Sequence, residues 1–126
     1  MVGIGVDIVD TTRFADVIAR SPRLVTRVFT AREIEQCGGE RLRTASLAAR
    51  WAAKEAVAKV LIDNRGLEWH HCEVLSGERG EPRLVLTGTV EAAARARGID
   101  GWLLSLSHDG DMAIAFAMAT GPGASG

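Results

Sequence analysis

The stretch TASLAARWAAKEAVAKVLI, from Thr44 to Ile62, constrains this chain more than any other, because a helix built from it is apolar on most of its circumference. Such a helix must be covered by neighbours nearly all round, so it belongs at the centre of the fold. The chain has 126 residues, enough for one domain that buries about two thirds of its unfolded surface. Hydrophobic residues make up 47% but aromatics only 5%, with no tyrosine. Core volume must therefore come from Ala, Val, Leu and Ile, and elements can approach closely. Arg50, Lys54, Glu55 and Lys59 need a reason in such a rod. At about 100° per residue, Glu55 and Lys59 share one stripe, with Arg50 and Lys54 on another about a quarter turn away. An i,i+4 Glu–Lys pair and basic chains reaching for solvent would explain both seams without any function.

The flanking segments are predicted to wrap this rod. Val2, Ile4, Val6 and Ile8 alternate with smaller or polar residues over 2–9, the period of a strand with one strongly apolar face. Asp10, Thr11 and Thr12 suit the cap of a helix running to about Arg20, which Ser21-Pro22 breaks or restarts. Thr30 and Glu33 fit a capping box for another short helix, ending at Gly38-Gly39. Strands are expected over 69–75 and 83–86, a helix over 88–97, and a hairpin of strands 102–107 and 112–119 joined around Asp109-Gly110. Residues 1–119 form a single domain on this reading, and 120–126 a flexible tail. The last strand sets Met112, Ile114, Phe116 and Met118 on one face and alanines on the other, so neither face suits water. A helix or a second copy must cover one of them, which points to a homo-oligomer.

Composition excludes several classes. A net charge of −1 argues against nucleic-acid binding. No window is long and apolar enough for a membrane span, and no leader precedes the first strand, so a cytoplasmic protein is expected. Cys37 and Cys72 are too few for a disulfide framework and are read as free thiols. His70 and Cys72 could converge on one face of a strand, but two ligands are too few for zinc.

Asp7 interrupts the first strand on the face that Gly3 and Gly5 leave free of bulk. A buried carboxylate there needs a cation. It can pair with Arg13 or Lys54, or it can join Glu55 as an oxygen ligand of a divalent metal. Magnesium takes one or two protein carboxylates and fills its other positions with water and phosphate oxygens, so this sparse pair suffices. Lys59, one turn beyond Glu55, would face the same phosphates. His108 is either an exposed neighbour of an ordinary Asp-Gly turn or a site residue. Arg13, Arg20, Arg23, Arg27 and Arg32 outnumber Asp16 within one short region. That patch is either a solvated face or a dock for an acidic partner.

Four stretches together, GIGVDIVDTTR, FTAREIE, RWAAKEAVAK and SLSHDGDMAIAFA, resemble the holo-acyl-carrier-protein synthase family of bacterial 4'-phosphopantetheinyl transferases over nearly the whole chain. The resemblance implies an α+β fold of the 4'-phosphopantetheinyl transferase type, an antiparallel sheet packed on a long central helix, assembled as a homotrimer with active sites between subunits. It implies Mg²⁺-dependent transfer of phosphopantetheine from coenzyme A to a serine of apo acyl carrier protein, in support of fatty acid biosynthesis. On the matching motifs Asp7 and Glu55 would bind the metal. Lys59 and His108 would lie near the coenzyme A phosphates and take part in catalysis, with Arg50 and Lys54 as further coenzyme A contacts. Arg13, Arg23 and Arg27 would face the carrier protein. The serine proton could pass to a water on the metal, to Asp7, to Glu55 or to His108.

One segment departs from the family pattern: where a glycine-rich turn is usual, Ile62-Asp63-Asn64-Arg65 precede Gly66, and no phosphate contact is carried over there. Two other readings compete. A phosphohydrolase could use Asp7 and Asp10 as an aspartyl pair, although three-residue spacing on a strand turns them to opposite faces. An oligomeric binding module could dock an acidic protein through the basic helices without chemistry.

Overall fold

The computed structural model describes residues 2–63 and 65–122, so positions 123–126 of the expected tail lie outside the described residues. Strand β1 (Gly3–Asp10) leads into α1 (Thr11–Arg20), α2 (Arg23–Val28), α3 (Ala31–Gln36) and the long α4 (Thr44–Leu61). Strands β2 (Cys72–Ser76) and β3 (Pro82–Leu86), helix α5 (Gly88–Ala96), and strands β4 (Gly101–Asp109) and β5 (Met112–Thr120) follow. β1, β5 and β4 form one antiparallel sheet in that order, and β2 pairs with β3 in a separate hairpin.

Alanine decides how the sheet meets α4. Ala113, Ala115, Ala117 and Ala119 of β5 are fully buried, as are Ala52, Ala53 and Ala56 of the helix. The two backbones can approach because no long side chain stands between them. β1 takes the principle further, since its inward positions are Gly3, Gly5 and then Asp7, in register with Ala119, Ala117 and Ala115. Val57, Val60 and Leu61 of α4 complete this core with Val74 and Val90, each large side chain adding roughly 1.5–3 kcal/mol by leaving water. A second cluster, Phe14, Val28, Phe29, Cys37, Leu47 and Ala48, fastens α1, α2 and α3 to the start of α4. Within residues 47–61 of the rod, all are buried but Trp51, Glu55 and Lys59, which share one stripe.

The local signals act as their chemistry requires. Asp10 caps α1, its Oδ1 accepting from the amides of Thr12 and Arg13 at 3.0 and 3.1 Å. Thr30 and Glu33 form the reciprocal capping box. After Ser21-Pro22 the chain restarts as the separate helix α2.

Two boundaries differ from the sequence reading. Residues 69–71 are a 3₁₀ turn, and the strand begins only at Cys72. The carbonyls of Trp69 and Cys72 both turn onto Lys54 Nζ, which an extended strand cannot arrange because carbonyls three residues apart point opposite ways. The final hairpin is also longer than expected. β4 continues to Asp109 and β5 to Thr120, so His108 is a strand residue paired with Ala113, and Thr120 pairs with Gly101 rather than opening a tail.

Candidate active site where β1 leaves α4

Asp7, Glu55 and Lys59 come together. β1 crosses α4 so closely that a Cβ on Gly5 would lie 2.0 Å from the Ala56 carbonyl oxygen. Two residues later Asp7 emerges against the helix face carrying Glu55 and, one turn on, Lys59. Lys59 Nζ donates to Val6 O at 2.9 Å and to Asp7 Oδ1 at 3.0 Å. The partner of Asp7 is therefore Lys59, not Arg13 or Lys54. Burial, followed by the neighbouring Asp7 carboxylate, holds the Glu55 carboxyl above the usual glutamate range, with Lys59 pulling the other way. The site thus pairs a carboxylate that already holds a cation with a second one that burial, reinforced by the Asp7 charge, keeps reluctant to ionise.

These carboxylates border a cleft of about 550 Å³ that runs between α1, α2 and the start of α4. Its walls are apolar, with Phe14, Val17, Val25, Trp51 and Trp69 among them, and Asp10, Arg13 and Arg27 also reach it. Trp51 and Trp69 meet edge to face, ring centroids 4.8 Å apart. The sequence reading missed this wall. The available signal was Trp51 itself, four residues before Glu55 and hence on the same helix face.

The other charged seam of α4 is not in the cleft. Lys54 has a fully buried side chain that pairs with Glu33 Oε1 at 2.9 Å, donates to the carbonyls of Trp69 and Cys72, and lies 5.6 Å from the Phe29 ring centroid. Glu33 Oε2 in turn accepts from the Val74 amide at 2.8 Å. Arg50, also buried, donates to Val74 O at 2.9 Å and to Gln36 Oε1 and Ser76 Oγ at 3.1 Å each. Every donor of Lys54 and most of Arg50 are spent on tying α3 and β2 to α4. Arg50 and Lys54, expected as coenzyme A contacts, face the β2 side of the helix within this chain, where their charge satisfies buried carbonyls.

His108 lies on the same sheet face as Asp7 but two strands away, since Asp7 is opposite Ala115 of β5 and His108 opposite Ala113 from the far side. Strand spacing alone separates them by about 10 Å. His108 is exposed and does not border the cleft. Arg13, Arg23 and Arg27 are exposed, and Arg13 and Arg27 reach the cleft rim. Arg32 belongs to a different contact, an ion pair with Glu73 that holds that carboxyl low. Asp10, the second aspartate of the phosphohydrolase reading, is engaged as the α1 cap. Neither thiol suits nucleophilic work: burial pushes Cys72 up to about 12 and raises Cys37 as well. Ile62, just beyond Lys59, closes α4 in a γ-turn at φ 65°, ψ −67°, with Asp63 N donating to Leu61 O at 2.7 Å. A β-branched residue is strained there.

The residues fit a hard divalent cation. Asp7 and Glu55 offer only oxygen, the Lys59 ammonium already stands on Asp7 as a cation would, and burial together with the Asp7 charge leaves Glu55 short of a cation that a metal would supply. Among the described residues no group of three or more His, Cys, Asp and Glu could enclose a metal. Such a pair therefore suits an ion that fills its remaining positions with water and ligand phosphates.

A sequence model of the 4'-phosphopantetheinyl transferase superfamily matches residues 3–117. The holo-[acyl-carrier-protein] synthase of Frankia casuarinae is 53% identical over 119 residues, covering 94% of this chain and 97% of that one. Among solved structures, holo-[acyl-carrier-protein] synthase from Neisseria meningitidis superposes with a TM-score of 0.84 at 27% identity, over 95% of this chain and 98% of that one. The Helicobacter pylori synthase, solved in complex with coenzyme A, gives a TM-score of 0.80 at 26% identity, over 93% and 99% of the two chains. Because the family match begins at the first residue of β1, ends within β5 and takes in Asp7, Glu55 and Lys59, the chain belongs to the 4'-phosphopantetheinyl transferase superfamily.

Proposed function

We propose that this chain transfers the 4'-phosphopantetheine group of coenzyme A to a serine hydroxyl of apo acyl carrier protein, releasing adenosine 3',5'-bisphosphate, with Mg²⁺ held by Asp7 and Glu55. The observation that carries the reading is the grouping of Asp7, Glu55 and Lys59, whose two carboxylates border a cleft that Arg13 and Arg27 also reach. Relatives with about half their residues identical are holo-[acyl-carrier-protein] synthases, and a structural neighbour binds coenzyme A.

The serine oxygen attacks the β-phosphorus of the donor, and the bond from that phosphorus to the bridging oxygen of the leaving bisphosphate breaks. When bound, the cation neutralises charge on the diphosphate and the departing phosphate. Lys59 adds N–H donors to the same phosphate oxygens. The serine proton passes to a base among Asp7, Glu55, His108 and solvent water. The apolar wall around Trp51 and Trp69 keeps water from competing with the serine. Arg13, Arg23 and Arg27 draw in the acidic face of the carrier protein.

The assembly we propose is a homotrimer. Ile4, Val6, Ile8, Leu103 and Phe116 are all at least 40% exposed on the sheet face turned away from α4, a patch that suits burial against another copy. In such an assembly the exposed His108 would serve the cleft of a neighbouring subunit, since its own Asp7 lies two strands away. No helix among the described residues is long and apolar enough to cross a membrane. The proposed setting is fatty acid biosynthesis in the cytoplasm.

The test is mass spectrometry of apo acyl carrier protein after incubation with this protein, coenzyme A and Mg²⁺. The expected result is a gain of one phosphopantetheine that chelation of the metal abolishes. An unchanged carrier-protein mass with fresh donor and metal would sink the reading.

A further inference from the structure

We propose that Lys59 is a built-in counter-cation for Asp7 that yields its place when a divalent metal arrives with the donor's diphosphate, so that one side chain couples metal binding to donor binding. The inference rests on the assignment of Asp7 and Glu55 as metal ligands.

The geometry supplies the asymmetry such an exchange needs. Lys59 Nζ takes two oxygens of β1, Val6 O at 2.9 Å and Asp7 Oδ1 at 3.0 Å. The Asp7 side chain is 16% exposed and that of Lys59 54%. The carboxylate is fixed on a strand and mostly out of water, whereas the ammonium sits on a flexible stem with solvent beside it. Only one of the two partners can leave cheaply.

Charge decides when it leaves. Asp7, Glu55 and Lys59 together carry one net negative charge when both carboxylates are ionised. A dication entering alone makes the site net positive and places its charge beside an ammonium that already occupies Asp7 Oδ1. A diphosphate entering with the metal restores a negative balance and offers Lys59 new acceptors. The metal then gains an oxygen of Asp7 that it otherwise has to contest. Coupling of this kind is reciprocal, so the donor tightens the metal by the factor by which the metal tightens the donor.

The test is a titration with Mn²⁺, followed by electron paramagnetic resonance of the free ion, on the wild type and on Lys59→Met and Lys59→Arg. Each is measured without ligand and with coenzyme A, with circular dichroism as the check on folding. Without coenzyme A, Lys59→Met is expected to bind Mn²⁺ about fivefold more tightly than wild type, the upper range for losing a half-exposed charge beside the ion. Lys59→Arg, which keeps the charge, stays near wild type. Coenzyme A raises the affinity of wild type by a larger factor than that of Lys59→Met. Equal or weaker Mn²⁺ binding by Lys59→Met without coenzyme A overturns the exchange. Wild-type binding by Asp7→Asn and Glu55→Gln in the presence of coenzyme A is a different result, which overturns the ligand assignment and the exchange with it.

Discussion

Gly5 rests directly on Ala56: a Cβ on the glycine would come within 2.0 Å of the Ala56 carbonyl oxygen, where no side-chain carbon can sit. Asp7 is two residues beyond that contact on β1, and Glu55 is next to Ala56 on α4. The glycine therefore sets how far apart the two carboxylates stand. Gly5→Ala must push strand from helix, at a cost of about 1–3 kcal/mol as for other overpacked cores. Both the urea midpoint and the Mn²⁺ affinity in the presence of coenzyme A should fall. A variant with unchanged affinity would show that the crossing does not position the metal ligands.

Glu55 gives a pH-dependent prediction for the metal-free protein. Burial and Asp7 raise its folded-state affinity for a proton, so the protonated carboxyl is the form the fold prefers. The resulting stabilisation is fully present below the ordinary glutamate range and is lost as pH rises through the raised value. Glu55→Gln, which has no charge to ionise, should be more stable than wild type at neutral pH. The gain should stay under about 1 kcal/mol, because solvent screens a partly exposed group, and should shrink in acid. Thermal unfolding across pH with chelator present measures it. Transfer activity should be lost in the same variant.

Lys54 and Glu33 form a fully buried pair. Lys54→Met fills the space but leaves the Glu33 carboxylate and the carbonyls of Trp69 and Cys72 without their cation, and should cost about 3–5 kcal/mol. The lost stability, read from denaturant unfolding, should greatly exceed that of Lys59→Met, because the Lys59–Asp7 pair is partly exposed whereas the Lys54–Glu33 pair is fully buried. Similar losses for the two lysines would contradict the division of α4 into a structural and a functional seam.

The placement of His108 bears on the assembly. If it serves a neighbour's cleft, mixing inactive Asp7→Asn subunits with inactive His108→Ala subunits creates sites that draw an intact Asp7 from one chain and an intact His108 from another. Random mixing in equal amounts should restore activity to about a quarter of the sites. Activity that stays absent after unfolding and refolding the mixture would place both residues in one subunit's site, or His108 in none.

Much of this was legible before any coordinates, and the reason is locality. The alternation in β1, the Asp10 cap, the Thr30–Glu33 capping box and the apolar circumference of α4 each depend on residues a few positions apart. Asp7 and Glu55 were legible because a carboxylate inside an apolar element demands a partner. The helical wheel separated the two charged seams of α4 but could not say which faced a cleft. That choice belongs to Glu33, a distant residue whose carboxylate both completes a capping box and reaches Lys54, and to the carbonyls of the 69–72 turn. The same contacts defeated the strand expected at 69–71. Local pattern could not place His108 either, since the distance from β4 to β1 follows from the strand order β1-β5-β4.

Crystals grown with Mn²⁺ and coenzyme A give the plainest test of the paired carboxylates. An anomalous difference peak should lie between the Asp7 and Glu55 carboxyl groups, in contact with oxygens of the donor's diphosphate and with Lys59 Nζ moved off Asp7 Oδ1. A donor well ordered in the cleft with no metal peak joining those two side chains would remove the basis of the mechanism proposed for this protein.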